Sequence, residues 1–221
     1  GRGGGVRLRG AFTRRFYLIV AIEVAIGFGA AMSIHNIDYY FAAKYNVNSA
    51  QLGTVVGLQQ LAMAALMLYM PRLSDRVGGP LKVYIAVSSA SVPLLIAMTF
   101  TNNFILAASL FLIRSVLMNV ATPLFDAFVM RLVPRDLRGI ASSILSLSWT
   151  LPAGGGRAVG GWLLDKNLEL PLRLTAAIYA AAIAALAAMF RDELGGGEGR
   201  APSAPLYTSK KPPIAEAEPA R

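Results

Sequence analysis

Six long apolar stretches dominate this 221-residue chain, and each is close to the ~20 residues that a helix needs to cross a bilayer. They cover residues 16–41, 51–70, 81–100, 104–133, 140–164 and 172–190. A segment in the hydrocarbon core must satisfy its own backbone hydrogen bonds, so these lengths predict helices. Transmembrane strands would be ~10 residues long and strictly alternating, and the sequence lacks that pattern. The sequence therefore predicts an all-α membrane protein with six transmembrane helices.

The composition supports a lipid environment and excludes several classes of function. Charged residues make up 15% of the chain and hydrophobic residues 55%, whereas soluble domains carry nearer a quarter charged residues. The sequence has no cysteine and one histidine, His35, which argues against metal sites, thiol nucleophiles and hydrolase triads. It also lacks a P-loop, and Gly27-Phe28-Gly29 is not a dinucleotide fingerprint. We therefore expect no metal, no cofactor and no enzymatic activity.

The basic residues predict the topology of the chain. Eleven Lys and Arg residues fall before the first span and in the second and fourth loops, against three in the alternate loops. By the positive-inside rule, both termini are expected in the cytoplasm, with the chain in the cell membrane. These basic residues sit in short clusters rather than along one face, so lipid is the expected partner and nucleic acid is not.

Three segments are expected along the chain. Residues 1–15 form a basic, glycine-rich cytoplasmic linker, residues 16–190 a six-helix transmembrane domain, and residues 191–221 a disordered cytoplasmic tail. The first residue is glycine rather than methionine, and no signal-peptide pattern precedes the first span. We therefore expect a fragment or processed product whose leading segment resembles a loop joining two halves of a larger protein.

The most specific motif lies between the second and third spans. Its sequence, from Pro71 to Lys82, is Pro-Arg-Leu-Ser-Asp-Arg-Val-Gly-Gly-Pro-Leu-Lys. It resembles the cytoplasmic G-x-L-a-D-R-x-G-R-R signature of the major facilitator superfamily, a family of membrane transporters. Leu73, Asp75, Arg76 and Gly78 match this signature, whereas Pro71 replaces its first glycine. Such weakening is typical of the copy in the C-terminal half of these proteins.

Other parts of the chain resemble the same family. The loop Val133-Pro-Arg-Asp-Leu-Arg-Gly139 is similar to its P-x-x-x-R-g lead into the fifth helix of a half, and Gly156-Arg-Ala-Val-Gly-Gly161 is similar to its G-P-x-x-G-G packing motif. The resemblance covers about residues 12–190, which is one six-helix half of a twelve-helix bundle. It implies that two halves surround a central cavity and rock to alternate access. The missing half, or a second copy of this chain, is then the expected partner.

Charged residues within the predicted spans are candidates for a substrate or proton pathway, because a charge in the bilayer core usually faces a cavity or a partner. On the first span, Glu23 and Asp38 bound one helical face of small residues and lie about 22 Å apart. On the fourth span, a polar stripe follows helical spacing, and Arg114 points away from it if the helix is regular. Pro123 predicts a kink there. The stripe consists of Ser115, Asn119, Thr122 and Asp126.

Several of these residues also have structural interpretations. Asp38 fits interfacial water as well as a pathway, and Glu23 could pair with Arg14 or Arg15. The resemblance implies that the first and fourth helices line the cavity, which makes Glu23 the first choice of proton carrier and Arg114 the cation that modulates it. Arg157 is a reserve, either pairing with an acid structurally or anchoring an anionic substrate.

Two further groups of residues have predicted roles. Asp75, Arg76, Gly78 and Arg138 are expected to form a cytoplasmic conformational motif, in which Asp75 latches the second helix to the fourth or fifth. Small residues spaced four apart are more often packing seams than ligand sites. The expected seams consist of Gly53 with Gly57, and of Gly156 with Gly160 and Gly161.

The function predicted from these features is secondary active transport of a small solute, with a proton or another gradient as the energy source. The alternative is a non-transporting membrane scaffold or accessory subunit, in which the buried charges hold helices together and the tail binds a partner. The buried charged residues fit both functions, so only their surroundings and their effect on transport separate the two.

Overall fold

A computed structural model describes residues 12–195, which fold almost entirely into helices. Residues 1–11 of the predicted linker and 196–221 of the predicted tail lie outside the described residues. The predicted all-α fold is confirmed within that range. Its α-helices are α1 (Arg14–Ser33), α2 (Ile37–Tyr45), α3 (Ser49–Val77), α4 (Pro80–Phe100), α5 (Phe104–Asn119), α6 (Thr122–Arg131), α7 (Arg138–Lys166), α8 (Leu170–Met189) and α9 (Arg191–Gly195).

Five helical segments of the described chain are long and apolar enough to cross a membrane. They are α1 with α2, α3, α4, α5 with α6, and α8. The segment predicted as the fifth of six spans forms α7, which has 29 residues but is not one of these five. Its sequence includes Gly154, Gly155, Gly156 and Arg157, which lower its hydropathy. The number of six spans therefore stays a prediction, while a multi-pass membrane protein is established.

The helix ends follow local sequence signals. Asn48 and Gln51 form the predicted capping box at the start of α3, with both side-chain-to-backbone hydrogen bonds 3.0 Å long. The short turn at residues 101–103 brings α4 and α5 together as neighbours, as predicted, and Asn103 caps α5 by accepting from the Leu106 N–H. These ends depend on residues within four positions of each other.

The first predicted span is interrupted between α1 and α2 by the 3-10 helix Ile34–Asn36. The Asn36 amide donates to the Met32 carbonyl, 3.3 Å away, and to the Arg157 carbonyl on α7, also at 3.3 Å. A side chain that binds backbone carbonyls competes with the regular helix ladder. The break turns Asp38 away from the face that carries Glu23.

The fourth predicted span is also interrupted, as Pro123 predicted. Helix α5 ends at Asn119 and α6 begins at Thr122, so Pro123 falls in the first turn of α6, where its missing N–H costs nothing. The stacked rings of Tyr84 and Phe125, with centroids 4.4 Å apart, hold α6 against α4. The two halves of this span therefore present different faces to the bundle.

Helix α1 lies at the centre of the bundle, packed against α7 and α8. Thr175 on α8 donates its hydroxyl to the Gly29 carbonyl over 2.8 Å, which joins α8 to α1. Helix α4 packs against α5 and α8. Helix α3 is peripheral, because its most apolar stretch has no buried residue. One long side of the described bundle is thus open to lipid or to another protein.

A charged cluster joins the ends of α2, α4 and α8. The Lys44 ammonium donates to the Thr99 carbonyl and to Glu169, each at 2.9 Å, and to the Tyr40 hydroxyl at 3.2 Å. Glu169 also pairs with Arg173 one turn further along α8. The cluster gives one carboxylate two cationic partners and fastens three helices at one end of the bundle.

Candidate functional site

A cavity of about 610 Å³ lies between the helices. Ordinary ligand pockets have volumes of about 300–1,000 Å³, so this cavity can hold a small solute. Its wall includes residues of α1, α4, α5, α6, α7 and α8, together with His35 of the 3-10 helix. The lining residues are Glu23, Ile26, Ala30, Ile34, His35, Tyr84, Arg114, Met118, Asn119, Thr122, Phe125, Asp126, Met130, Ser142, Leu145, Ser146, Trp149 and Tyr179.

Two acids from different helices share this cavity. Glu23 of α1 is half-buried, and Asp126 of α6 faces it closely enough for their negative charges to interact. The ring of Tyr84 on α4 is buried and lines the same cavity as the two acids. The ion pairs of the described residues at Lys44, Glu169 and Arg173 involve neither acid.

Arg114 lines the same cavity and is 2% exposed. Its guanidinium carbon lies 5.2 Å from the ring centroid of Tyr179 on α8, in a cation–π contact. The expectation that Arg114 points away from the polar stripe applied to a regular helix, and this span is interrupted after Asn119. Asn119 of α5 and Thr122 and Asp126 of α6 line the cavity together with Arg114.

Two of the predicted pathway residues lie outside the cavity. Asp38 is exposed on α2, beyond the break in the first span, and Arg157 is exposed on α7. The Arg157 backbone carbonyl accepts from Asn36, but its side chain does not line the cavity. The grouping of Asp38 with Glu23 on one face needs correction, because it assumed an unbroken helix. Glu23, Arg114 and Asp126 are the predicted residues that the fold brings together.

Sequence reasoning missed the contribution of α7 and of the aromatic side chains. Ser142, Ser146 and Trp149 line the cavity from α7, and their i, i+4, i+7 spacing puts them on one helical face. That spacing was a usable signal. Tyr84 and Tyr179 carried no comparable signal, because each stands alone among apolar residues of its helix and its direction depends on packing.

The predicted cytoplasmic motif lies at the end of α3 rather than in a loop. The helix continues to Val77, seven residues beyond the predicted end, so Asp75 and Arg76 belong to its last turn. Gly78 ends it with φ of 91°, a left-handed conformation that favours glycine, and the Gly79 N–H returns to the Ser74 carbonyl at 2.9 Å. Asp75 is exposed and makes no ion pair within the described chain in this conformation.

The predicted glycine seams divide into two groups. Gly156 and Gly160 of α7 press against the backbone of α1, where an added Cβ at Gly156 would lie 2.8 Å from the Phe28 carbonyl oxygen and one at Gly160 would overlap that of Met32. At Gly53, Gly57 and Gly161 a Cβ would meet no described atom within 4 Å. The seam at Gly53 and Gly57 therefore has no neighbour among residues 12–195, since α3 is peripheral.

Comparison with known proteins bears on the whole bundle. A family model described as Major Facilitator Superfamily matches residues 19–216. No curated protein and no solved structure matches the chain. In the part that the structure describes, there is no group of three His, Cys, Asp or Glu side chains that could hold a metal ion.

Proposed function

Because the chain belongs to the major facilitator superfamily, a family of membrane transporters, we propose that it is one six-helix half of a secondary transporter that works by alternating access. The observation that carries this proposal is the cavity in which Glu23, Asp126 and Arg114 face one another across three helices. Placing a charged side chain in a lipid-embedded bundle costs free energy unless the side chain faces a water-filled pathway or a partner group. Their convergence on a solute-sized space favours a pathway.

We propose that helix α7, the fifth predicted span in chain order, also crosses the membrane and brings the number of spans to six. Its 29 residues correspond to about 43 Å at 1.5 Å per residue, which exceeds the ~30 Å of a bilayer core. Its glycines pack on the central helix α1, and Ser142 and Ser146 turn toward the cavity. A helix shielded from lipid on one side and facing water on another can cross with a lower hydropathy than its neighbours.

Proton coupling through Glu23 is the proposed energy source. Burial disfavours a charged carboxylate, and a nearby arginine favours it. Rocking that moves Glu23 toward or away from Arg114 would therefore take up or release a proton. The other titratable or charged groups that face this space are Asp126 on α6, Tyr84 on α4, Tyr179 on α8 and His35 beside α1.

The test is solute uptake as a function of pH in Glu23→Gln, normalised to protein in the membrane. We expect normal abundance and a flattened pH dependence, since glutamine cannot carry the proton. The matched control is Asp38→Asn, an acid of the same span that lies outside the cavity, which should keep the parent profile. Lowered abundance with an unchanged pH profile would eliminate Glu23 as the carrier and support a purely structural role for this residue.

The missing half, or a second copy, is the proposed cover for the open side of the bundle. Helix α3 exposes Leu58, Leu61 and Leu68, and its Gly53 and Gly57 allow a partner helix to approach closely. This small-residue pair, which has no neighbour within the described part of the chain, would then pack against the partner. Lipid would cover whatever the partner leaves exposed.

Orientation is tested by cysteine labelling, which has no background because the chain contains no cysteine. We propose that both termini and the ends of α3 and α6 face the cytoplasm, following the basic residues there. Single cysteines at Asp75 and Arg135 should react with an impermeant reagent only after the cells are opened. Cysteine at Asn102, on the opposite side, should react in intact cells. The reverse pattern would invert the topology.

A further inference from the structure

The guanidinium of Arg114 has one edge without a partner. Two of its nitrogens, Nε and Nη2, are buried and donate to no hydrogen-bond acceptor in the described chain. These two atoms form one side of the planar fork, the side that donates two parallel N–H groups to a two-oxygen anion. The two unpaired N–H groups therefore lie side by side, in the geometry that binds both oxygens of one carboxylate.

The surroundings of Arg114 do not neutralise its charge. Tyr179 of α8 lies beside the guanidinium, with 5.2 Å between its ring centroid and the guanidinium carbon, and it is uncharged. Within residues 12–195 no carboxylate lies within 4.0 Å of it, and the Glu23 and Asp126 charges interact with each other instead. A buried cation without a counter-ion is strongly destabilising. Such a group persists where something outside the chain supplies the missing charge.

We propose that the Nε–Nη2 edge of Arg114 binds the carboxylate of the transported solute, which is a small organic acid. This inference rests on the proposed transport function. Ile26, Met118, Phe125 and Trp149 line the same cavity, so the rest of the solute contacts apolar and aromatic surface.

This assignment differs from the sequence-based one in the residue that anchors the anion. Sequence reasoning held Arg157 in reserve for that role, but its side chain is exposed and does not line the cavity. Nε and Nη2 of Arg114 are closed to solvent in this conformation. An anion therefore reaches them when the bundle opens, which the rocking movement of alternating access provides.

The test measures ligand protection of the purified full-length chain in lipid nanodiscs by thermal unfolding. The probes are butyrate, benzoate and phenylacetate at millimolar concentration, each compared with its amide, which has the same shape and no charge. We expect at least one carboxylate to raise the melting temperature more than its amide does. Arg114→Lys keeps the charge and loses the planar edge, so it should weaken that binding by about tenfold or more. Arg157→Lys should retain it.

A second pair of variants applies if Arg114→Lys does not fold. Met118 lies one helical turn from Arg114 and lines the cavity. Met118→Glu supplies an internal carboxylate that competes for the arginine, so it should abolish the difference between each carboxylate and its amide. Met118→Gln makes nearly the same change in shape and polarity without adding a charge, so it should weaken the binding of each carboxylate and its amide alike and preserve the difference between them. Loss of the difference in both variants alike would overturn the assignment.

The remaining outcomes separate this inference from the transport function. The anion site would be overturned if no carboxylate raised the melting temperature of the parent protein more than its amide did. It would also be overturned if Arg114→Lys kept the full difference between carboxylate and amide. Neither result would affect the proposal that Glu23 couples uptake to protons. If Arg157→Lys and not Arg114→Lys lost the preference for carboxylate over amide, the anion would bind at α7, and the assignment to Arg114 would be overturned as well. Carboxylate binding without uptake into vesicles would support the site and contradict transport of the acid.

Discussion

Gly160→Ala is expected to destabilise the bundle by about 3 kcal/mol or more, at the upper end of what overpacking costs. The new methyl group would overlap the Met32 carbonyl oxygen and lie 2.6 Å from the Met32 carbonyl carbon, which are backbone atoms that cannot rotate away. It would also lie 2.7 Å from the Asn36 amide nitrogen, at the break in the first span. Helices α1 and α7 would have to separate, which the melting temperature in nanodiscs should report.

The neighbouring glycine provides the matched control. An added Cβ at Gly161 meets no described atom within 4 Å, and alanine is the better helix former by roughly 0.5–1 kcal/mol. Gly161→Ala should therefore melt at or slightly above the parent temperature. Equal destabilisation of the two variants would mean that α7 does not pack on α1 through Gly160.

Glu169→Gln is expected to cost about 2 kcal/mol, less than the roughly 3–5 kcal/mol of a fully buried pair because Glu169 is partly exposed. The side chain of Lys44 is only 11% exposed and would lose its carboxylate partner, now at 2.9 Å. Arg173 loses the same partner. Because Lys44 still donates to the Thr99 carbonyl, α2 and α4 should stay joined while α8 loosens. Hydrogen exchange at the start of α8 measures this directly.

Asp165→Asn is the control for the charged cluster. Asp165 accepts one hydrogen bond from the Tyr39 hydroxyl at 3.3 Å on the exposed surface, and the ion pairs found among residues 12–195 do not include it. Removing its charge should change the melting temperature little. A loss as large as that of Glu169→Gln would show that the cost comes from removing any negative charge at this end of the bundle, and not from breaking the Lys44–Glu169 pair.

Much of the local structure was predictable because it depends on residues close in sequence. The capping box at Asn48 and Gln51 spans three residues, and the break near Pro123 follows from a missing N–H at one position. The length of the apolar stretches identified a helical membrane protein, because a single segment of that length satisfies all its backbone hydrogen bonds in lipid only as a helix. The continuation of α3 to Val77 was missed, because a proline at Pro71 in a basic segment resembles a boundary.

The candidate site shows the limit of that reasoning. The charged residues were identified from their sequence alone, because charges within apolar stretches are conspicuous, but their grouping assumed regular helices. Asn36 breaks the first span by reaching the Arg157 carbonyl, a partner 121 residues away. That contact removes Asp38 from the cavity face. No local pattern encodes it, because the acceptor belongs to another helix.

The sequence by itself determined the class of the protein, the ends of several helices and the set of charged residues that lipid would disfavour. All of these follow from the transfer of single segments into a bilayer and from hydrogen bonds within about one helical turn. Only the tertiary structure decided that Arg114 shares a cavity with Glu23 and Asp126, and that its Nε–Nη2 edge is unpaired. The direction of a side chain in a bundle depends on helix breaks and on the packing of distant helices, whose energies arise between segments rather than within them.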